Sequence, residues 1–393
     1  MMTDDRSRLR LFGRVEPAAD AAEVVQVFDA ARLTQARQLA GMTKAALAAA
    51  VRVSAAAVSQ WEAHTSLPRP DHLQRLADIL DVPVEFFARG RPHARLDAST
   101  AHFRSLRSTR SSQRARAIAF VEQVWELTYA LEKRVRFPAV DLPGFCSEEP
   151  LTEPADSPVE PVQAAQALRK RWGLGDGPVP HLIRTMEMHG IVTTMVAFAG
   201  AETPTINAFS TSRLPRPLVV ITPDRGDDVY WHRFTAAHEL GHLILHRDAA
   251  PGDPRQEQEA DAFAAEFLTP AHRLAPRLST RVDFGILESL GREWGVSVKS
   301  LIYRACELGV LSEAGARRAY QRLHHLYEQR ILTPEPVTDY PGEIPTLLSK
   351  AFTLAEAAGI LTTADLAREL RWSIPRLRLL LGQECRRPAL RLV

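Results

Sequence analysis

The sequence feature that most constrains the fold is the pentapeptide HELGH at residues 238–242. Two histidines four positions apart lie on the same face of an α-helix, so both imidazoles can reach a single metal ion. The glutamate beside the first histidine then lies next to the metal, where it can take a proton from a bound water. The motif therefore predicts a zinc site (Zn2+) on a helix, with His238 and His242 as ligands and Glu239 as the general base.

A catalytic zinc needs a third protein ligand and one open position. The segment EQEADAFAA at residues 257–265 places small side chains on the helical face of Glu257. Close packing against the first helix would bring the Glu257 carboxylate to metal distance. Asp261, one turn further on, would then accept a hydrogen bond from a ligand histidine. Asp261 as the metal ligand itself is the competing assignment, and the sequence leaves it open.

His246 extends the histidine series, but the geometry of a helix argues against it as a ligand. Eight residues of helix separate it from His238 by about 12 Å along the axis. It is expected instead at the C-terminal end of the helix, where the helix dipole favours it.

Length and composition describe an ordinary globular protein. The chain has 393 residues, 45% of them hydrophobic and 24% charged, which predicts two or three domains. The net charge is only +2, so any nucleic-acid surface must be local. No apolar run reaches the length of a membrane span and the N-terminus leads into no signal core. We therefore expect a cytoplasmic protein without membrane contact, with Cys146, Cys306 and Cys385 reduced.

The pattern along the chain predicts an α+β, mainly helical fold. Residues 28–88 form an N-terminal bundle of five short helices, residues 89–136 an arginine-rich helical connector and residues 137–161 a proline-rich linker. Helices and short strands alternate over 162–310, and 311–393 is a helical C-terminal region. Within the bundle the predicted helices are Ala30–Ala40, Thr43–Ala50, Ser54–Glu62, Asp71–Leu80 and a last turn opened by Pro83. Further along they are Ser111–Arg136, Val162–Trp172, Val179–His189, Asp228–His246 and Arg255–Leu268, with strands at Ile191–Phe198, Thr205–Ser210 and Leu218–Thr222.

Three segments carry a family resemblance. "FTAAHELGHLILH", "EQEADAFAAEFLTP" and "WGVSVKSLIYRACELGVLS" resemble the ImmA/IrrE family of metallopeptidases over about residues 160–310. The resemblance implies a zincin-like domain with a small β-sheet, in which His238, His242 and Glu257 hold zinc and Glu239 is the base. It also implies proteolysis of a repressor protein after a stress signal.

The N-terminal bundle carries a second resemblance. "MTKAALAAAVRVSAAAVSQWEAHTSLPRPDHLQRLADILDVPVEFF" resembles the XRE (lambda-repressor-like) helix-turn-helix family over about residues 29–88. A short uncharged helix after a three-residue turn can enter a major groove of double-stranded DNA with its N-terminus first. The residues expected to face the bases are Ser54, Ala55, Ala56, Ser59 and Gln60. Lys44 and Arg52 are expected near phosphates. Because the two alanines read little beyond a thymine methyl, specificity for an operator would rest on Gln60 and on DNA shape.

The C-terminal segment "LTTADLARELRWSIPRLRLLLG" again has helix-turn-helix periodicity. A second DNA-binding unit is one interpretation, and a helical packing or homodimer module is the one we favour. Nothing in the segment indicates chemistry.

Together these patterns predict a DNA-binding regulator fused to a zinc metallo-endopeptidase. Its substrate would be a separate repressor or the chain's own linker at 137–161, whose cleavage would release the DNA-binding bundle. Two alternatives stay open at this point. One is a non-proteolytic transcription factor whose peptidase-like domain senses zinc or a small ligand, and the other is a protease that uses the bundle to dock a repressor.

Overall fold

The computed structural model describes residues 20–93, 96, 111–145, 160–195, 208–222, 227–247 and 253–383. They divide into two compact units. The first contains the described residues up to Pro92 together with Thr363–Leu377, and the second contains those of His93–Thr362 and those from Arg378 onward. Most of the arginine-rich stretch 89–116 and of the proline-rich linker 137–161 lies outside the described residues.

The first unit begins with five α-helices and a 3-10 turn at Val84–Phe87. The helices are α1 (Ala21–Gln26), α2 (Ala30–Leu39), α3 (Lys44–Val51), α4 (Ala55–Glu62) and α5 (Pro70–Leu80). Thr43 and Ser54 begin α3 and α4 because their hydroxyls accept hydrogen bonds from the Ala46 and Ala57 amides. The helices predicted from the sequence are confirmed to within one residue at each end, whereas the short α1 was not predicted.

Apolar side chains from four of these helices meet in the interior of the first unit. The fully buried members are Leu33, Leu47, Val51, Val58, Leu73 and Leu76. Within α3 and α5 these residues recur at helical spacing, so each helix buries one apolar face.

A C-terminal segment also belongs to this first unit. Arg371 donates hydrogen bonds to the backbone carbonyls of Ala88 (2.7 Å) and Arg89 (2.8 Å). Arg91 donates to the carbonyl of Leu370, and its guanidinium lies 4.5 Å from the centroid of the Phe86 ring. The first unit is therefore built from two stretches of chain that are far apart in sequence.

The remaining helices complete the mainly helical fold. They are α6 (Ser111–Glu132), α7 (Pro161–Arg171), α8 (Leu182–Met188), α9 (Val229–Leu245), α10 (Pro254–Leu268), α11 (Ala271–Leu274), α12 (Phe284–Trp294), α13 (Val298–Glu307), α14 (Glu313–Glu328), α15 (Leu347–Ala357), α16 (Thr363–Leu370) and α17 (Ile374–Leu380). No helix in the described ranges is long and apolar enough to cross a membrane. Cys306 is a free thiol, and Cys146 and Cys385 lie outside the described residues.

A three-stranded sheet lies beside α9 in the second unit. Its strands are β1 (Val192–Met195), β2 (Ala208–Thr211) and β3 (Leu218–Ile221), in the order β1-β3-β2. β1 runs parallel to β3 and β2 runs antiparallel to it, with Ser210 opposite Val219. All three strands are largely buried, and α9 packs against β2 and β3. The small sheet expected before the HELGH helix is confirmed.

Helices α9 and α10 approach each other closely because small residues line their contact. A Cβ atom placed on Gly241 would lie 3.1 Å from the Phe263 ring and 3.3 Å from the backbone of Ala260. Ala260 and Ala264 are fully buried. This close approach brings the acidic residues of α10 to the histidines of α9.

Candidate metal centre and DNA-facing helix

Three side chains from α9 and α10 converge on one point. The Nε2 atoms of His238 and His242 lie 3.0 Å apart, and the two carboxylate oxygens of Glu257 lie 3.6 Å and 3.5 Å from them. Both histidines are buried, whereas Glu257 is partly exposed. One ligand atom from each residue lies within 4.8 Å of the others.

This arrangement suits zinc. Donors about 2.0–2.1 Å from a common ion lie roughly 3.3–3.6 Å from one another, close to the separations observed. Two imidazole nitrogens and one carboxylate form the donor set of catalytic zinc sites, and a fourth position stays open for water or substrate. The chemistry and the spacing of these three residues therefore fit the metal that the sequence pattern predicts.

Asp261 contacts His238 on the edge of the ring that faces away from the metal position. Its Oδ1 atom lies 2.7 Å from Nδ1 of His238, on the side of the ring opposite Nε2. With Nε2 turned toward the metal position, Nδ1–H donates to this carboxylate and fixes the tautomer and orientation of the ring. Of the two acidic residues considered on this face, Glu257 therefore faces the metal position and Asp261 faces the histidine.

His246 supports the second histidine in the same way. It caps the C-terminus of α9, and its Nδ1 lies 3.0 Å from Nδ1 of His242. Its Nε2 donates to Glu259 at 2.8 Å, and Arg255 donates to the same carboxylate at 2.7 Å. The position of His246 at the helix end matches the sequence interpretation. Its contact with Glu259 was missed because it depends on how α9 and α10 dock.

The pKa shifts of His246 and Glu259 agree with a neutral histidine beside an ionised carboxylate. Burial lowers the pKa of His246, against the opposing effect of Glu259. For Glu259, partial burial is outweighed by the hydrogen bonds from His246 and Arg255, which lower its pKa. A neutral His246 can accept the proton that His242 presents at Nδ1 and donate its own to Glu259.

Glu239 is held by a residue that the sequence did not indicate. The hydroxyl of Ser210 on β2 donates to Oε2 of Glu239 at 2.8 Å, and both side chains are fully buried. Glu239 thus points from α9 toward the sheet, with one oxygen fixed by the antiparallel outer strand. The only sequence signal for Ser210 was its place in a strand before the HELGH helix.

His232 and Tyr230, which precede the histidines on α9, are engaged elsewhere. His232 is buried and its Nε2 lies 2.9 Å from the carbonyl of Glu343. Burial lowers its pKa and keeps the ring neutral. Tyr230 lies with Glu335 and Tyr340, and burial followed by the hydrogen bond to Tyr340 raises its pKa. These contacts tie the stretch around residues 335–343 to α9.

In the first unit, α3 and α4 form the predicted helix-turn-helix. The left-handed residue Arg52 (φ 64°) ends α3, and Ser54 begins α4 two residues later. The outward face of α4 carries the predicted base-facing residues. Ser54, Ala55, Ala56 and Gln60 are exposed and Ser59 is half-buried.

A buried carboxylate fixes this helix pair. Glu62 at the end of α4 accepts two hydrogen bonds from Arg37 of α2, at 2.5 Å and 3.1 Å. Lys44 lies 3.2 Å from the same carboxylate and remains half-exposed, so this predicted phosphate contact also tethers the start of α3. Arg52 is exposed and available to a phosphate. The role of Glu62 was not predicted, since nothing in the local pattern pairs it with Arg37.

Comparisons with known proteins give two family matches. Residues 33–87 match the helix-turn-helix family model, which covers α3 and α4. Residues 188–305 match the model of the IrrE N-terminal-like domain, a peptidase family, and the match contains the sheet and all three converging side chains. No curated protein matches the chain. The chain thus joins an XRE-like helix-turn-helix region to an ImmA/IrrE-like metallopeptidase domain.

Proposed function

We propose that this DNA-binding regulator is also a zinc-dependent endopeptidase, which cleaves a repressor protein in response to a signal. The helix-turn-helix region and the peptidase-like domain support a regulator that binds DNA. The observation that carries the enzymatic part is the intact set of converging donors beside a buried, oriented Glu239. A site that served only to hold the fold together would have no use for that glutamate.

The residues of this site divide the work of peptide hydrolysis. His238, His242 and Glu257 would hold a zinc ion, which supplies an acidified water and polarises the substrate carbonyl. Glu239 accepts the proton of the attacking water and passes it to the leaving amine. Ser210 fixes the orientation of the Glu239 carboxylate. Asp261 and His246 fix the orientations of the His238 and His242 rings.

Of the two substrates considered, we favour a separate protein over the chain's own linker. The DNA-binding unit includes Thr363–Leu377 as well as the N-terminal helices. A cut in the stretch 137–161 would leave the two parts joined through the contacts of Arg371 with Ala88 and Arg89. Cleavage there would not release the bundle cleanly.

The test is Glu239→Gln in cells, with promoter occupancy and target transcription measured against wild type. Gln keeps the size of the side chain and leaves all three metal donors in place, so zinc content should not change. We expect the variant to occupy its promoter but to lose the response to the inducing signal. A variant with normal zinc and a normal response would overturn the enzymatic proposal. That result would favour a regulator whose peptidase-like domain senses zinc or a small ligand.

A further inference from the structure

The helices α16 and α17 repeat the local geometry of α3 and α4. Arg371 ends α16 in the left-handed conformation (φ 53°), as Arg52 ends α3 (φ 64°). The amide of Trp372 then donates to the carbonyl of Ala367 at 3.0 Å. The residue after Arg52 makes the same bond at 2.9 Å. The turn between the two helices is therefore the same in both pairs.

The start of the second helix and the buried positions also correspond. The hydroxyl of Ser373 accepts a hydrogen bond from the Arg376 amide at 3.4 Å, as Ser54 accepts one at the start of α4. Five apolar residues of α16 and α17 are buried at the spacing that α3 and α4 show. They are Leu366, Ala367, Leu370, Leu377 and Leu380, in the places of Leu47, Ala48, Val51, Val58 and Trp61. The segment thus has the core of a helix-turn-helix as well as its turn.

A third turn of this kind joins α12 to α13, and it differs in what it leaves exposed. Gly295 ends α12 in the left-handed conformation (φ 65°), and a capping serine follows two residues later. The first and fifth residues after that serine, Val298 and Ile302, are buried. The same two positions after the capping serine of α17 are Ile374 and Arg378, and both are exposed. α17 therefore keeps at its surface the positions that α13 buries.

The charge of the segment suits a nucleic acid. Residues 363–380 contain four arginines and two acidic residues, a net charge of +2, whereas residues 44–62 carry +1. The exposed face of α17 combines one arginine with apolar side chains: Ile374, Pro375, Arg378 and Leu379. Arginine donates two hydrogen bonds to a guanine edge, apolar side chains can contact a thymine methyl, and excess positive charge complements the phosphates.

We propose that α16 and α17 form a second helix-turn-helix that contacts double-stranded DNA, with Arg378 donating to a guanine. Arg378 takes the place of Ser59, one of the residues of α4 expected to face the bases. Residues Thr363–Leu377 belong to the same compact unit as the helix-turn-helix matched at 33–87, and neither family match reaches them. The inference rests on DNA binding by that first helix-turn-helix and not on peptide cleavage.

DNA selection followed by substitution tests the proposal. The full zinc-loaded chain selects duplexes from a random-sequence pool, and Kd is measured on the preferred duplex. We expect Arg378→Ala to raise Kd by about tenfold, the effect of losing one bidentate base contact. It should also relax the base preference at one position, whereas Gln60→Ala should relax a different one. Arg378→Lys keeps the charge but not the planar fork, so the guanine preference should stay lost.

Two further variants control the experiment. Arg317→Ala removes an exposed arginine of α14, whose ion pair with Glu313 is also exposed, and should leave Kd unchanged. Leu379→Asp puts a negative charge on the exposed face of α17. Because Leu379 is 59% exposed, the protein should fold, and we expect Kd to rise by about tenfold or more. Circular dichroism and sedimentation establish the fold and the oligomeric state of each variant.

The outcomes separate this inference from the rest of the account. Wild-type Kd and base preferences in Arg378→Ala, with Gln60→Ala impaired, overturn the second helix-turn-helix and keep the first. Dissociation of a dimer by Leu379→Asp, with Arg378→Ala unimpaired, overturns it as well and assigns α17 to a protein interface. Failure of the wild-type chain to select any duplex would remove both helix-turn-helices. The expected DNA pattern in a chain that cleaves no protein keeps the second helix-turn-helix and removes the peptidase.

Discussion

The helix-turn-helix and the metal centre are each built on two helices that are neighbours in the sequence, yet they place their functional residues in opposite ways. One exposes them and the other buries most of them. In the helix-turn-helix, the residues expected to meet DNA are exposed on α4, and the buried charge of Glu62 lies behind them. In the metal centre, His238, Glu239 and His242 are themselves buried, and a partner side chain fixes the orientation of each. Ser210, Asp261 and His246 are those partners.

The difference follows from the function that we propose for each region. DNA is contacted at an exposed surface, so the residues expected to meet it lie on the outside of α4, and the side chain that holds the helix, Glu62, lies behind them. Bond cleavage needs groups fixed before the substrate arrives, and only a dry, hydrogen-bonded setting fixes them. A substitution that removes one of these partners should therefore impair the region that contains it and leave the other region unchanged.

The largest effect is expected at Glu62. Glu62→Ala leaves the nearly buried guanidinium of Arg37 without its carboxylate, which should destabilise the helix-turn-helix by about 3 kcal/mol. Chemical denaturation followed by DNA binding measures it. Glu313→Ala is the control, because its ion pair with Arg317 is exposed and should contribute nothing measurable. If Glu62→Ala loses DNA binding but keeps its zinc content, the helix-turn-helix and the metal centre depend on separate partners. Equal stability of Glu62→Ala and Glu313→Ala would contradict the role given to Glu62.

The second largest effect is expected at Asp261, which orients the ring of His238. Asp261→Ala removes the acceptor that orients His238, and we expect zinc affinity to fall by about 10–100-fold. Competition with a chelator measures the affinity. Glu259→Ala should have a smaller effect, since that carboxylate acts on His242 only through His246. A larger loss for Glu259→Ala would reverse the order of importance deduced from the contacts.

Ser210 should affect turnover but not metal binding. Ser210→Ala removes the hydrogen bond to Glu239 and should lower kcat by about tenfold, the usual scale for a bond to a charged group. Zinc affinity should stay at the wild-type value, and Ser210→Thr should restore most of kcat because it keeps the hydroxyl. A fall in zinc affinity with unchanged kcat would assign Ser210 a structural role only.

The smallest effect belongs to the start of the DNA-facing helix. Ser54→Ala removes the hydroxyl that accepts the Ala57 amide and should destabilise the helix-turn-helix by about 1 kcal/mol. Ser54→Gly should destabilise it less, because glycine is tolerated at this position. Thermal denaturation of both variants checks the order. Ser54→Asn supplies another side-chain oxygen acceptor, so a loss equal to that of Ser54→Ala would show that the capping hydrogen bond is not the cause.

The comparison also explains what the sequence could predict. The helices of the bundle and the HELGH helix follow from periodicity and from capping residues such as Thr43 and Ser54. Glu257 and Asp261 could be proposed because they lie on one face of one helix. Ser210, Glu62 and the contacts of Arg371 with residues 88 and 89 could not, since each joins segments far apart in the chain. Local patterns predict helices and their faces, and docking decides which faces meet.

The central claim is that Glu239 works as a base at a site held by His238, His242 and Glu257. The most direct measurement is mass spectrometry of newly formed protein N-termini. The zinc-loaded chain is incubated with proteins from its source cells, beside an equally zinc-loaded Glu239→Gln variant. The account predicts new termini with wild type that fall by about 10²–10⁴-fold with the variant. The same termini at the same rate from both proteins, with equal zinc content, would contradict it.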